Sequence, residues 1–497
     1  MPEDDIKKKL KTLSKTIPHL KELLTESRLK QYISKSETLD YHYAFSQVTA
    51  PILETLKAYS EEQNILHHFQ EMKSGAIINK SENRAASHLS CRDPKSNYFQ
   101  DHQAKALRLG NQVFENTWKT ENGNSFETII QIGIGGSELG PKAVYHGLDT
   151  IYESSKKALF IASIDPTGFH HKLRDCNLET ALIVIVSKSG STFETQENIK
   201  QLKRYIENKS LSWDNFQQQI LIITCPNSKL DQDKIGEKRL YMQESIGGRF
   251  SVTSPVGTFL LSACFGSKMS RSFLEGAYEM DLSANKQNLE VNPPLCAALV
   301  SWWERVFLNY KNQGIMAYSH ALSIIPSHLQ QLFCESLGKR HNYNNQILEG
   351  PSGKLIFGEE GPNAQHSFFQ LLHQGNESVP IQFLGVRNSF HNGYTDFHEG
   401  LSLSMAAQMI ALSEGKYDEN PAQHFDGNRP SSLVLLEQLS ARHLGALVSF
   451  YENMVFFEGL LLNINTFDQP GVELGKSVLS TLEEKQGLLQ ELVDLLK

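Results

Sequence analysis

The stretch Ala181-Leu182-Ile183-Val184-Ile185-Val186, followed at once by Ser187-Lys188-Ser189-Gly190-Ser191-Thr192, decides the fold. The apolar run is too short for a helix of ordinary length and is mostly β-branched. It therefore predicts a strand buried on both faces, as in a parallel sheet. The run stops at a cluster of hydroxyls around one glycine, and from Phe193 to Ile206 the apolar residues recur at helical spacing. A strand that feeds a helix through such a loop gathers free backbone N–H groups and hydroxyls around one point. That is an anion cradle, and phosphate is its usual guest. A plain helix cap needs a single hydroxyl, whereas five of these six loop residues are polar and one is a lysine.

The same texture extends on both sides. Strands are expected at Thr128 to Ile134, Ala158 to Ala162 and Gln219 to Thr224, with helical patterns between them, which argues for a parallel sheet wrapped by helices. After a helical bridge near 257–311, a second alternating stretch places strands at Gly314 to Tyr318 and Val379 to Phe383, with helices at Pro326 to Leu337 and around Phe397 to Leu412. The expected organisation is a mainly helical N-terminal region (1–95), two α/β units (96–265 and 266–460) and a helical C-terminal arm (461–497), with helix resuming after about 430 and a break at Phe467-Asp468-Gln469-Pro470-Gly471.

Composition sets bounds. The chain has 497 residues, enough for two or three domains, and its 40% hydrophobic and 21% charged residues are ordinary for a globular protein. A net charge of −8 leaves no basic footprint for nucleic acid, so an anionic ligand must be held by local groups. The six cysteines, from Cys91 to Cys334, are scattered without metal-ligand spacing, and most of them are expected to be reduced core residues. The charged N-terminus lacks an apolar secretory segment, and no apolar run is expected to span a bilayer. The chain thus reads as cytoplasmic.

Five further clusters carry groups suited to chemistry. Gly133-Ile134-Gly135-Gly136-Ser137 follows a strand but is not a dinucleotide fingerprint, because Glu138 stands where a third glycine is required. In Ser245-Ile246-Gly247-Gly248-Arg249, the glycines can bring a rigid guanidinium close to substrate oxygen. Gln331 and Glu335 lie on one helix, where a semi-buried carboxylate suits general-base work. A glycine-rich loop from Gly358 delivers His366, a possible proton shuttle, although the chain has 18 histidines and any single one is more often structural. Gln469 lies at the mouth of a turn, with Lys476 seven positions on along a helix and able to face the same side.

Taken together, in this order, the clusters resemble the phosphoglucose isomerase family. The stretches ESIGGRFSVTSPVG and LLLNINTFDQPGVELGK resemble the two signature segments of that family. GIGGSELGP, SKSGSTFET, QQLFCES and GEEGPNAQHSF resemble its active-site blocks, and ENRAASH (Glu82 to His88) resembles a segment near its N-terminus. The resemblance implies two sugar-isomerase (SIS) α/β/α sandwich domains with parallel sheets, N-terminal helices and a helical C-terminal arm, in a homodimer with active sites at the subunit interface. It implies that a sugar phosphate is isomerised in glycolysis and gluconeogenesis through a cis-enediol, with neither cofactor nor metal. The phosphate would rest on Ser187, Lys188 (largely through its backbone), Ser189 and Thr192, with Gly136, Ser137 and Gly248 nearby. Glu335 would move the proton between C1 and C2, Arg249 would stabilise the enediolate, and Gln331 and Gln469 would contact the sugar. His366, lent by the partner subunit, and Lys476 would assist ring opening. A sugar-phosphate sensor with this fold would keep Ser187 to Thr192 but need not keep Glu335, Arg249 and Lys476 together.

Overall fold

The computed structural model describes residues 3–471, 491–492 and 494–496. Among the described residues eleven strands form two sheets: β1 (Ile33–Lys35), β2 (Leu39–His42), β3 (Thr128–Ile132), β4 (Lys157–Ile161), β5 (Ala181–Val186), β6 (Ile220–Thr224), β7 (Lys238–Tyr241), β8 (Asn312–Ala317), β9 (Leu355–Glu360), β10 (Ile381–Asn388) and β11 (Ser431–Gln438). The first sheet is all parallel, in the order β4-β3-β5-β6-β7. Its centre is the predicted strand β5, in which every residue is buried. β5 pairs with β3 from Ala181 opposite Thr128 and with β6 from Ile183 opposite Ile220. A strand covered on both faces can be apolar at every position, which is why this one reads as an unbroken run.

The second sheet, β1-β2-β11-β10-β8-β9, is parallel from β11 to β9 and antiparallel at β1 and β2. The N-terminal region expected to be mainly helical carries five α-helices among its described residues and also supplies β1 and β2, which extend the second sheet. One expectation is corrected here. The segment after 430, expected to be helix, begins with β11, whose apolar residues pair with β10 from Ser431 opposite Ile381. Helix resumes only at Ala441.

The helix Ala441–Leu461 is long and apolar enough to cross a membrane, contrary to the expectation that no run would be, and 94% of its most apolar window is buried inside the fold. It carries two glutamates into the interior. Glu452 accepts from Arg92 Nη1, while Arg92 also forks onto Asp281 at 2.6 and 2.8 Å. Glu458 is 1% exposed and lies where the field of Lys354 reaches it, and Lys354 is itself paired with Glu304 at 2.7 Å. Buried charges of this kind require partners, because the interior solvates them poorly. The cysteines are all free thiols, four of them buried.

Candidate active site

In the first sheet the chain enters at β3, passes to β4 on one side, then crosses to β5 on the other. The loops leaving β3 and β5 therefore part at a topological switch point, where open α/β sheets bind their ligands. The loops are Gly133–Ser137 and Ser187–Thr192, so strand order alone brings the two predicted turns together.

The loop after β5 has the form of a cradle. The hydroxyl of buried Ser187 accepts from the Gly190 N–H at 3.1 Å and lies 3.4 Å from Thr192 Oγ1. Gly190 has φ +70°, and a Cβ there would stand 2.5 Å from the backbone nitrogen of Leu230. A left-handed turn against neighbouring backbone leaves room only for glycine. Thr192 occupies the N-cap position of the helix Phe193–Asn208, yet its hydroxyl makes no capping bond. The plain-cap alternative therefore fails at this residue, and the hydroxyl and first-turn N–H groups are available to an anion. The exposed Ser189 accepts from the N–H of Ser191 at 3.2 Å. Burial lowers the pKa of Lys188, and the nearby Arg84 guanidinium lowers it further.

The loop after β3 joins this cradle to the other candidate groups. A Cβ on Gly136 would stand 2.0 Å from the carbonyl oxygen of Gly248, so the two glycine turns touch backbone to backbone. A Cβ on Gly135 would stand 2.9 Å from Gln331 Nε2, which places the same turn against the helix Ile325–Leu337. Ser137 is half-buried, and its carbonyl accepts from Gln131 Nε2 at 2.7 Å.

Arg249 is 1% exposed and ties the site together. Its Nε donates to Ser336 Oγ at 2.7 Å. Nη1 donates to Gln469 Oε1 at 2.6 Å and to Glu335 Oε2 at 3.3 Å. Nη2 donates to the carbonyls of Thr466 at 2.5 Å and Asp468 at 3.1 Å. Burial lowers its pKa, while Glu335 and Asp468 oppose that shift. The fork is thus rigid and faces the half-buried carboxylate of Glu335, whose other oxygen accepts from Gln331 Nε2 at 3.1 Å. Gln331 Oε1 is buried and has no hydrogen-bond partner among the described residues. A fixed cation, a carboxylate and a free amide acceptor within one cluster can transfer a proton and stabilise the oxyanion that results.

One expected residue does not join the cluster, and another lies outside the described residues. His366 follows the short helix Gly361–Gln365 after β9. It is exposed, and its ring has no hydrogen-bond partner among the described residues. Lys476 lies outside the described residues. The fold brings in three residues that have no role in the motifs above. Asp468 accepts from Arg249 through its carbonyl, and its carboxylate accepts from Ser81 and Asn465. Lys339 reaches the carbonyls of Glu335 and Asp468. Arg84, within the ENRAASH segment, stands near Lys188. A lysine just past the end of the helix that bears Glu335 was the one available signal, since such lysines can reach the last helical carbonyls. A cavity of about 760 Å³ lies between Tyr59, Trp302 and Tyr343, but none of the expected site residues lines it. Convergent polar groups, rather than void size, locate the chemistry.

The family model described as phosphoglucose isomerase matches residues 42–491. A glucose-6-phosphate isomerase of Borreliella afzelii is 37% identical, the match covering 96% of this chain and 94% of that protein. One from Chlamydia muridarum is 35% identical over 92% and 90%. The crystal structure of a glucose-6-phosphate isomerase from Chlamydia trachomatis superposes with a TM-score of 0.92 at 32% identity, covering 99% of each chain. With sequence and fold agreeing over nearly the whole length, this chain belongs to the phosphoglucose isomerase family.

Proposed function

We propose that Glu335 is the base in the reaction this chain catalyses, the reversible isomerisation of glucose 6-phosphate and fructose 6-phosphate. The observation that carries the assignment is the contact of Arg249 and Gln331 with the two oxygens of one carboxylate, beside the switch-point loops. In this reading the substrate phosphate rests on Ser187, Ser189, Thr192 and the backbone of Lys188, with Ser137 close by. Gly136 and Gly248 shape the wall. Binding the phosphate remote from the reacting carbons fixes where C1 and C2 lie, which converts binding energy into positioning.

Ring opening comes first, assisted by His366 from the partner subunit of a homodimer and by Lys476. Glu335 then takes the proton from C2 and returns it to C1. Negative charge grows on the enediolate oxygens during that transfer, and the fixed positive charge of Arg249 stabilises it. Gln331 and Gln469 hold the sugar hydroxyls. The enzyme works in the cytoplasm in this reading.

The test is conversion of fructose 6-phosphate to glucose 6-phosphate, followed by a coupled dehydrogenase with EDTA present. Rapid turnover, lost in Glu335→Gln, supports the reading. Absence of turnover with sugar phosphate still bound would turn the chain into a sensor that binds without catalysis.

A further inference from the structure

We infer that Lys339 is a positioning residue for the isomerisation: its ammonium locks the helix that bears Glu335 to the turn that holds Arg249 and Gln469. The inference rests on Glu335 being the base. The helix Ile325–Leu337 ends at Gly338, and its last carbonyls have run out of helical N–H donors. Lys339 turns back and donates to two of them, that of Glu335 at 2.6 Å and that of Ser336 at 3.0 Å. The same nitrogen donates to the Asp468 carbonyl at 2.8 Å and pairs with Asp468 Oδ1 at 3.3 Å.

These partners are not incidental ones. Ser336 supplies the hydroxyl that accepts from Arg249 Nε, and the Asp468 carbonyl accepts from Arg249 Nη2 as well as from Lys339. The next residue, Gln469, receives Arg249 Nη1. Two cations therefore share one carbonyl, and the Asp468 carboxylate offsets their repulsion. An ammonium has three donors, and here all are directed at protein oxygens. The side chain is only 8% exposed, and none of its contacts requires substrate, so its role is to set geometry. Burial and the neighbouring Arg249 push its pKa down to about 8, as expected for a lysine held in a crowded interior.

Three substitutions test the assignment. Lys339→Met removes the ties to the carbonyls of Glu335, Ser336 and Asp468. In it kcat falls roughly tenfold to a hundredfold with KM within about twofold, as for a small misplacement of a reacting group. Lys339→Arg keeps a long cationic donor at the same place and recovers part of kcat. Asp468→Asn removes the carboxylate that pairs with Lys339 but leaves the shared carbonyl, and lowers kcat less than Lys339→Met does. Asp468→Asn and Lys339→Arg keep the readout available should Lys339→Met fail to fold. An unchanged kcat in the folded variants, or a rise in KM at unchanged kcat, would overturn the inference. Turnover retained in Glu335→Gln would instead show that the base was misassigned, so the two failures are distinct.

Discussion

Arg249 Nη1 donates to Glu335 Oε2 at 3.3 Å and to Gln469 Oε1 at 2.6 Å, so one buried nitrogen joins the carboxylate to the turn that follows the C-terminal core helix. The guanidinium has five N–H donors, and the contacts made by its three nitrogens use its planar fork fully. Glu335→Gln keeps the size of the side chain but removes the basic oxygen. It is expected to abolish isomerisation, and exchange of the C2 proton with solvent, by at least about a thousandfold, while binding of sugar phosphate changes little. Exchange monitored by NMR in deuterated water checks this directly. Exchange that survives would remove Glu335 from the role.

Gly136 and Gly248 touch but differ in the space around them. A Cβ on Gly136 would stand 2.0 Å from backbone oxygen, whereas a Cβ on Gly248 meets nothing within 4 Å. Gly136→Ala must push two backbone turns apart and is expected to cost about 1–3 kcal/mol of stability, with activity lost alongside. Gly248→Ala is expected to keep the thermal midpoint and raise KM, because the added methyl enters the open side where substrate would lie. A fall in the thermal midpoint of Gly248→Ala equal to that of Gly136→Ala would contradict this contrast.

The hydroxyl of Thr192 makes no cap bond to the helix it precedes. Its removal therefore costs the helix little, and Thr192→Ala is expected to leave the thermal midpoint nearly unchanged. A hydrogen bond to a charged group contributes about 1.5–3 kcal/mol, so affinity for sugar phosphate should fall roughly tenfold to a hundredfold. Calorimetry with fructose 6-phosphate measures this. Equal affinity in wild type and variant would move the phosphate elsewhere.

The strand β5 could be read from sequence because a parallel strand covered on both faces needs no polar residue, and its loop states its own chemistry in six contiguous positions. β11 could not be read, since Leu433-Val434-Leu435-Leu436 lies just before a long helix and the two patterns merge. β1 and β2 are three and four residues long, and they gain their identity only because β1 pairs with β2 and β2 with distant β11. The same division holds in the site. Gln331 and Glu335 lie one helical turn apart and announce each other. Lys339 and Asp468 are 129 positions apart, and nothing local to either residue shows that they meet.

Glu458 lies within the helix Ala441–Leu461, and its Oε2 has no hydrogen-bond partner among the described residues. Burial raises its pKa from 4.5 to about 7, with Lys354 opposing the rise. Between those values the folded chain holds a proton that the unfolded chain releases. Stability from this group therefore falls as pH rises through the window, and the cost is complete above it. Glu458→Gln removes that slope. Its thermal midpoint is expected to exceed that of wild type at pH 8 and to approach it at pH 5, the difference being at most on the order of 3 kcal/mol. A variant that is equally destabilised at both values would show that the carboxylate is ionised and satisfied in the fold.

His366 is exposed in the single chain and contacts neither Glu335 nor Arg249 through a hydrogen bond. If each site combines Glu335 of one subunit with His366 of the other, complementation has a definite arithmetic. In a heterodimer of Glu335→Gln with His366→Ala, one site carries both lesions and the other carries neither. Verified heterodimers should then recover about half of the wild-type activity, although each parent homodimer is impaired at both sites. If His366 serves the site of its own chain, every site in the heterodimer keeps one lesion and no recovery follows. Separating the mixed species by two different affinity tags and assaying it against both parents distinguishes these arrangements in one experiment.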